Sequence, residues 1–137
     1  MYRYKAKILS VYDGDGTFDA EVDMGMNLFQ RKDLRLYGCD TPEMRGSQHR
    51  AGVIVRDFVR DLILNKTVII RTHKDQTGKY GRLLVDIIIH PLSINSGNSL
   101  AQILIDKGYA KPYFGGKKEE WSVNEIDKIL GVSNDTL

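Results

Sequence analysis

Very little in this chain can cross-link it or bind a soft metal. Cys39 is the single cysteine among 137 residues, which excludes an internal disulfide and any multi-cysteine metal site. A lone cysteine of this kind is expected to pack rather than react. No apolar run is long enough to span a membrane. The start, Met1 to Lys7, is basic but lacks the apolar stretch and small-residue cleavage site of a signal peptide, so a cytoplasmic setting is expected. Charge of one sign is also scarce. The net charge is only +2, and any polyanionic partner must therefore be recognised by local placement of basic groups. Internal repeats, linkers and low-complexity tracts are absent. Gly115-Gly116-Lys117-Lys118 lacks the spacing of a P-loop, which removes the main sign of nucleoside triphosphate binding.

What is present suffices for one domain, residues 1–137, with a single core and a C-terminus frayed from about residue 131. Tyr4, Ala6, Ile8 and Ser10 alternate with Arg3, Lys5 and Lys7 as a first strand. Asp13-Gly14-Asp15-Gly16 has turn chemistry and leads into a second strand ending near Asp23. Gly25 to Asn27 make another turn, before a third strand from about Leu28 to Gly38. Ser47 is placed to cap a helix over Gln48 to Leu64, whose stripe of Ala51, Val55, Phe58 and Leu62 faces the core together with Ile54, Val59 and Ile63. Thr67 to Arg71 reads as a fourth strand and Thr72 to Tyr80 as a polar loop. Arg82 to Ile89 reads as a fifth strand, apolar enough for burial on both faces. Beyond the Ser93–Ser99 loop, Leu100 to Lys107 forms an amphipathic helix closed by Gly108. Tyr109 to Lys118 is a basic and aromatic segment, and a last helix covers Ser122 to Leu130 with Trp121 packing it on.

Chemistry collects on Leu34-Arg35-Leu36-Tyr37-Gly38-Cys39-Asp40-Thr41-Pro42-Glu43. Leu34 and Leu36 enter the core while Arg35 leaves it. Pro42 holds Thr41 extended, so Asp40 and Glu43 stand close together on a stiff turn. An arginine beside two acids suits phosphate and a metal, although a strand end with a surface salt bridge reads the same way. Asp13 to Gly16 is similarly open between a plain tight turn and a metal loop in which Asp15 is a hard oxygen donor. It is not an EF-hand, since the alternating acids and closing glutamate are missing.

Five strands with a helix between the third and fourth, plus C-terminal helices, give an α+β, mainly β, oligonucleotide-binding barrel. Asp13-Gly14-Asp15, then Arg35-Leu36 with Asp40-Thr41-Pro42-Glu43, then Lys79-Tyr80-Gly81-Arg82 occur in an order and spacing that resembles the staphylococcal nuclease (thermonuclease) family over roughly residues 4 to 120. The resemblance implies a metal-dependent phosphodiesterase acting on DNA or RNA with calcium as cofactor. It makes Asp15, Asp40 and the Thr41 carbonyl the calcium ligands and Glu43 the general base for the attacking water. By the same resemblance Arg35 and Arg82 match the two arginines that grip the reacting phosphate, Lys79 and Tyr80 match residues near a neighbouring phosphate, and Tyr113 falls close to an aromatic position that packs on the nucleotide. A monomer with no membrane partner is expected.

One position departs from the family pattern, which has threonine directly after the second aspartate. Gly16 stands between Asp15 and Thr17. Either Gly16 replaces that threonine or it is an inserted residue forming a bulge, and both change how Asp15 is aimed. An unselective cytosolic nuclease would also threaten its host, which low calcium, a restricted substrate, a phage setting or export after processing would each resolve. The competing reading is a catalytically inactive barrel of the same fold that binds single-stranded nucleic acid or a protein. Retention of the acids argues against it, because a simple polyanion binder has no use for carboxylates facing phosphate.

Overall fold

The structure is a computed structural model that describes residues 2–77, 82–89 and 99–132. Strand β1 (Arg3–Val11) alternates up to Ile8 and then changes phase. Its antiparallel pairing with β2 (Gly16–Asp23) shifts between Ile8 and Ser10. The bulge turns Val11 into the core and Ser10 out of it, against the expectation that Ser10 shares the face of Ile8, because one extra residue reverses every side chain after it. The turn after β2 places Gly25, Met26 and Asn27 at positive φ, and Leu28 N donates to Gly25 O at 2.9 Å.

In β3 (Phe29–Leu36) Leu34 and Leu36 are fully buried, and Arg35 between them lies on the opposite face. The strand stops earlier than expected. Tyr37 N still bonds to Val85 O at 2.9 Å, but Gly38 takes a left-handed φ of 87°, open to glycine at little cost, and the chain peels off the barrel. Residues Gly38–Asp40 then form a separate short strand, β4.

A short 3₁₀ turn (Gly46–Gln48) precedes helix α1 (His49–Ile63). Ser47 lies inside that turn and does not cap the helix; Gln48 occupies the cap position and makes no capping bond with its side chain. Ala51, Val55, Val59 and Ile63 are fully buried, one residue per turn, while Ile54, Phe58 and Leu62 pack on the flanks of the core.

Strand β5 (Thr67–Thr77) runs well past the expected end at Arg71. Its extension is held by β6 (Leu83–Ile88), where Asp86 Oδ2 accepts from Arg71 Nε at 3.0 Å and Asp86 Oδ1 lies 2.9 Å from His73 Nε2. Cross-strand charge therefore continues a ladder that polar composition alone suggested was a loop. β6 is buried on one face only, through Val85 and Ile87, because that same Asp86 faces the other way. Helix α2 (Leu100–Lys107) is capped by Ser99 and closed by left-handed Gly108. Strand β7 (Lys111–Tyr113) follows, in a segment expected to hold no strand, and pairs antiparallel with β4. Helix α3 (Val123–Leu130) starts with a capping box from Ser122 and Glu125. The N–H groups of Gly131 and Val132 close α3 through bonds to Lys128 O and Asp127 O, and the rest of the tail expected to fray, residues 133–137, lies outside the described residues.

Strands β1, β2, β3, β6 and β5 close in that order into a barrel. The closure is the parallel pairing of β3 with β6, which sets Leu34 beside Leu83, Arg35 beside Leu84 and Leu36 beside Val85. The mainly β, five-stranded barrel with α1 between its third and fourth strands agrees with the architecture expected from sequence. Among the described residues, no helix is long and apolar enough to cross a membrane.

Candidate active site

The turn between β1 and β2 is built on two glycines. Gly14 rests directly on α1 and Thr41; a Cβ there would stand 2.6 Å from Val55 Cγ1 and 3.1 Å from Thr41 Oγ1. Asp13 Oδ1 accepts from Gly16 N at 2.7 Å and tightens the turn. The result carries Asp15 into the interior, where it is 6% exposed. Asp15 Oδ2 accepts from Thr41 N at 2.9 Å, Oδ1 lies 2.9 Å from Arg35 Nη1, and its carbonyl accepts from Leu36 N at 2.8 Å. One aspartate thus ties the hairpin turn to both ends of the chemistry-bearing stretch.

Gly16 pairs with Arg35, and the register of β2 with β3 shifts between Gly16 and Phe18. The displaced residue is Thr17, whose φ is 48°. A bulge is present here, but Thr17 is the displaced residue and Gly16 stays in register. The bulge turns the Thr17 hydroxyl to accept from Arg82 Nη1 at 3.1 Å. A Cβ on Gly16 would lie 3.2 Å from Arg35 Nη1 and 3.4 Å from Arg82 Nη1. Both guanidinium groups converge above this bare stretch of backbone.

Asp40, at the end of β4, is also buried. Lys118 Nζ lies 3.2 Å from its Oδ1, and Trp121 Nε1 donates to its Oδ2 at 3.3 Å. Glu43 stands exposed at the mouth of the site. Its backbone is fixed twice: its N–H donates to Gln48 Oε1 at 2.8 Å, and its carbonyl lies against Gly52 of α1.

These residues line one cleft of about 730 Å³, which contains Asp15, Arg35, Asp40, Thr41, Glu43, Arg82 and Tyr113. Every expected site residue within the described part of the chain is therefore brought together; Lys79 and Tyr80 lie outside the described residues. Burial, reinforced by the charge of Asp15, pushes the Asp13 carboxyl up to about 7. Burial opposes the charge on Arg35, but the adjacent Asp15 carboxylate outweighs it and holds the guanidinium above its ordinary pKa. Cys39, 1% exposed, has its thiol pushed well up by burial and packs as expected.

Sequence reasoning missed Gln48, Gly52, Thr17 and Lys118 as parts of this site. Gly52 left a signal: a glycine inside an amphipathic helix costs stability unless another backbone needs the space. Lys118 left none, because its contact depends on how the segment after β7 folds back.

The sequence profile of the family described as Staphylococcal nuclease homologue matches residues 33–133. The chain belongs to that family. The staphylococcal nuclease homologue match takes in Arg35, Asp40, Thr41, Glu43, Lys79, Tyr80, Arg82 and Tyr113, and starts beyond Asp15 and its bulge. A search of curated proteins finds no match. Membership of the staphylococcal nuclease homologues gives the domain a nuclease-type or nucleic-acid-binding function.

Proposed function

We propose that this protein is a calcium-dependent nuclease that hydrolyses phosphodiester bonds of DNA or RNA in the cleft between the β1–β2 turn, β4 and the start of β6. The observation that carries the reading is the convergence of Arg35 and Arg82 over Gly16, beside two buried aspartates and an exposed Glu43. Two planar guanidinium forks can each donate more than one hydrogen bond to a single phosphate. Held in place by Asp15 and Thr17, they meet the charge that develops on a phosphoryl group without reorganising. Glu43, on a fixed backbone at the mouth, is placed to take a proton from water entering from solvent.

The donor set suits a hard cation. Asp15, Asp40 and the Thr41 carbonyl offer only oxygen, and among the described residues no three His, Cys, Asp or Glu groups are close enough to hold a metal by themselves. Few protein ligands with open water positions fit calcium or magnesium rather than zinc. When bound, the cation supplies Lewis-acid stabilisation of phosphate charge.

The test is cleavage of single-stranded DNA and of RNA with calcium, with EDTA, and with Glu43→Ala. Cutting that needs calcium and fails in the variant is expected. A folded protein that cuts neither substrate with calcium, magnesium or manganese would overturn the reading in favour of an inactive nucleic-acid-binding module.

A further inference from the structure

The two buried aspartates differ in who holds them. Asp15 is held by Arg35 and the Thr41 backbone, both built into the barrel or its immediate extension. Asp40 is held by Lys118, whose side chain is 43% exposed against 9% for its partner. Lys118 sits between β7 and α3, just after Gly115 and Gly116, both in left-handed backbone with open space around them. Its ammonium lies 5.5 Å from the Tyr113 ring centre, so its stem crosses the rim of the cleft. A long, half-exposed arm can leave a carboxylate at modest cost, and an anchored arginine cannot.

We infer that Lys118 is an internal competitor for the divalent cation: its ammonium neutralises Asp40 while no cation is bound and must be displaced before one binds there. The inference rests on the cation reading proposed above. Its consequence is a raised threshold for cation binding, set by one side chain outside the expected ligand set. Trp121 supplies a reporter that does not depend on activity. It is the only tryptophan in the chain, and its Nε1–H donates to the other oxygen of the same carboxylate.

The experiment is a calcium titration of the intact protein, followed by calorimetry and by Trp121 emission, for wild type, Lys118→Met, Lys118→Arg and Lys117→Met. Lys118→Met is expected to bind calcium about two- to fivefold more tightly than wild type, the range of a partly exposed ion pair. Lys118→Arg, which keeps the charge, and Lys117→Met, which keeps Lys118, stay at the wild-type affinity. In wild type, calcium also raises the rate at which an amine-reactive reagent modifies Lys118, read by mass spectrometry, which a purely structural lysine would not show. Equal or weaker binding by Lys118→Met, with wild type binding calcium, overturns the role of Lys118 and leaves the cation reading standing. No binding of calcium, magnesium or manganese by either protein overturns both.

Discussion

Gly52 lies so close beneath Glu43 that a Cβ built on it would stand 2.3 Å from the Glu43 carbonyl oxygen. The loop bearing the proposed base therefore sits on bare helix backbone. Alanine inside a helix ordinarily stabilises it by about 1 kcal/mol relative to glycine. Here Gly52→Ala is expected to destabilise by about 1–3 kcal/mol, as overpacking does, and to lower cleavage while the protein is still folded. Thermal unfolding and single-turnover cleavage on the same sample check both; a more stable variant with full activity would contradict the contact.

Arg35→Lys keeps the charge but loses the fork. Asp15 Oδ1, 2.9 Å from Arg35 Nη1, can hold the lysine ammonium, yet that leaves no second planar donor for phosphate. Cleavage is expected to fall by about a hundredfold or more, the scale for losing one preorganised donor. Single-turnover rates decide it, and near-normal turnover would remove Arg35 from the role.

Thr17→Val tests the bulge. The valine keeps the shape but removes the acceptor for Arg82 Nη1. A hydrogen bond to a charged group contributes about 1.5–3 kcal/mol, so the melting temperature is expected to fall by several degrees with circular dichroism unchanged at 25 °C, and kcat/KM to fall about tenfold or more as Arg82 loses its aim. An unaltered kcat/KM would show that Arg82 finds its position without Thr17.

Asp13 makes stability depend on pH with a definite sign. Unfolded, its carboxyl titrates near 3.8; folded, burial and then the Asp15 charge push it up to about 7. Between those values the folded state keeps a proton that the unfolded state has released. Its contribution to stability is greatest below about 4 and is lost as pH rises towards and past 7. Asp13→Asn keeps the acceptor for Gly16 N–H but cannot ionise. Melting in EDTA should therefore show the variant gaining on wild type from pH 5 to pH 8, and parallel curves would refute the buried carboxyl.

Cys39 is 1% exposed and its thiol is pushed up by burial. Thiolate is the reactive form, so a thiol reagent at pH 8 is expected to leave the native protein unlabelled and to label it fully in denaturant. Rapid labelling of the native state would mean the β4 end opens readily.

The alternation of Leu34, Arg35 and Leu36, the stripe on α1 and the closing Gly108 of α2 were legible because each depends on neighbours within a turn or two. The strands that were misread depend on distant partners. β5 continues past Arg71 because Asp86 answers it from another strand. β4 and β7 exist because Gly38 turns the chain towards a segment far along the sequence. At the site, the acids and arginines were readable from residue type and order. The means of aiming them, Gly14 beneath the Val55 and Thr41 side chains, Gly52 beneath the Glu43 backbone and Thr17 at positive φ, follow only from the packed structure.

The parallel pairing of β3 with β6 has a temporal consequence. Arg35 lies on β3, and Arg82 immediately precedes β6, so the two guanidinium groups become neighbours only when that seam closes. A ribosome making the chain from its N-terminus delivers Arg35, both aspartates and Glu43 well before the residues of β6. On the proposed nuclease reading, a nascent chain thus carries only half of the phosphate grip, and the messenger under translation meets no complete site until the last barrel strand docks.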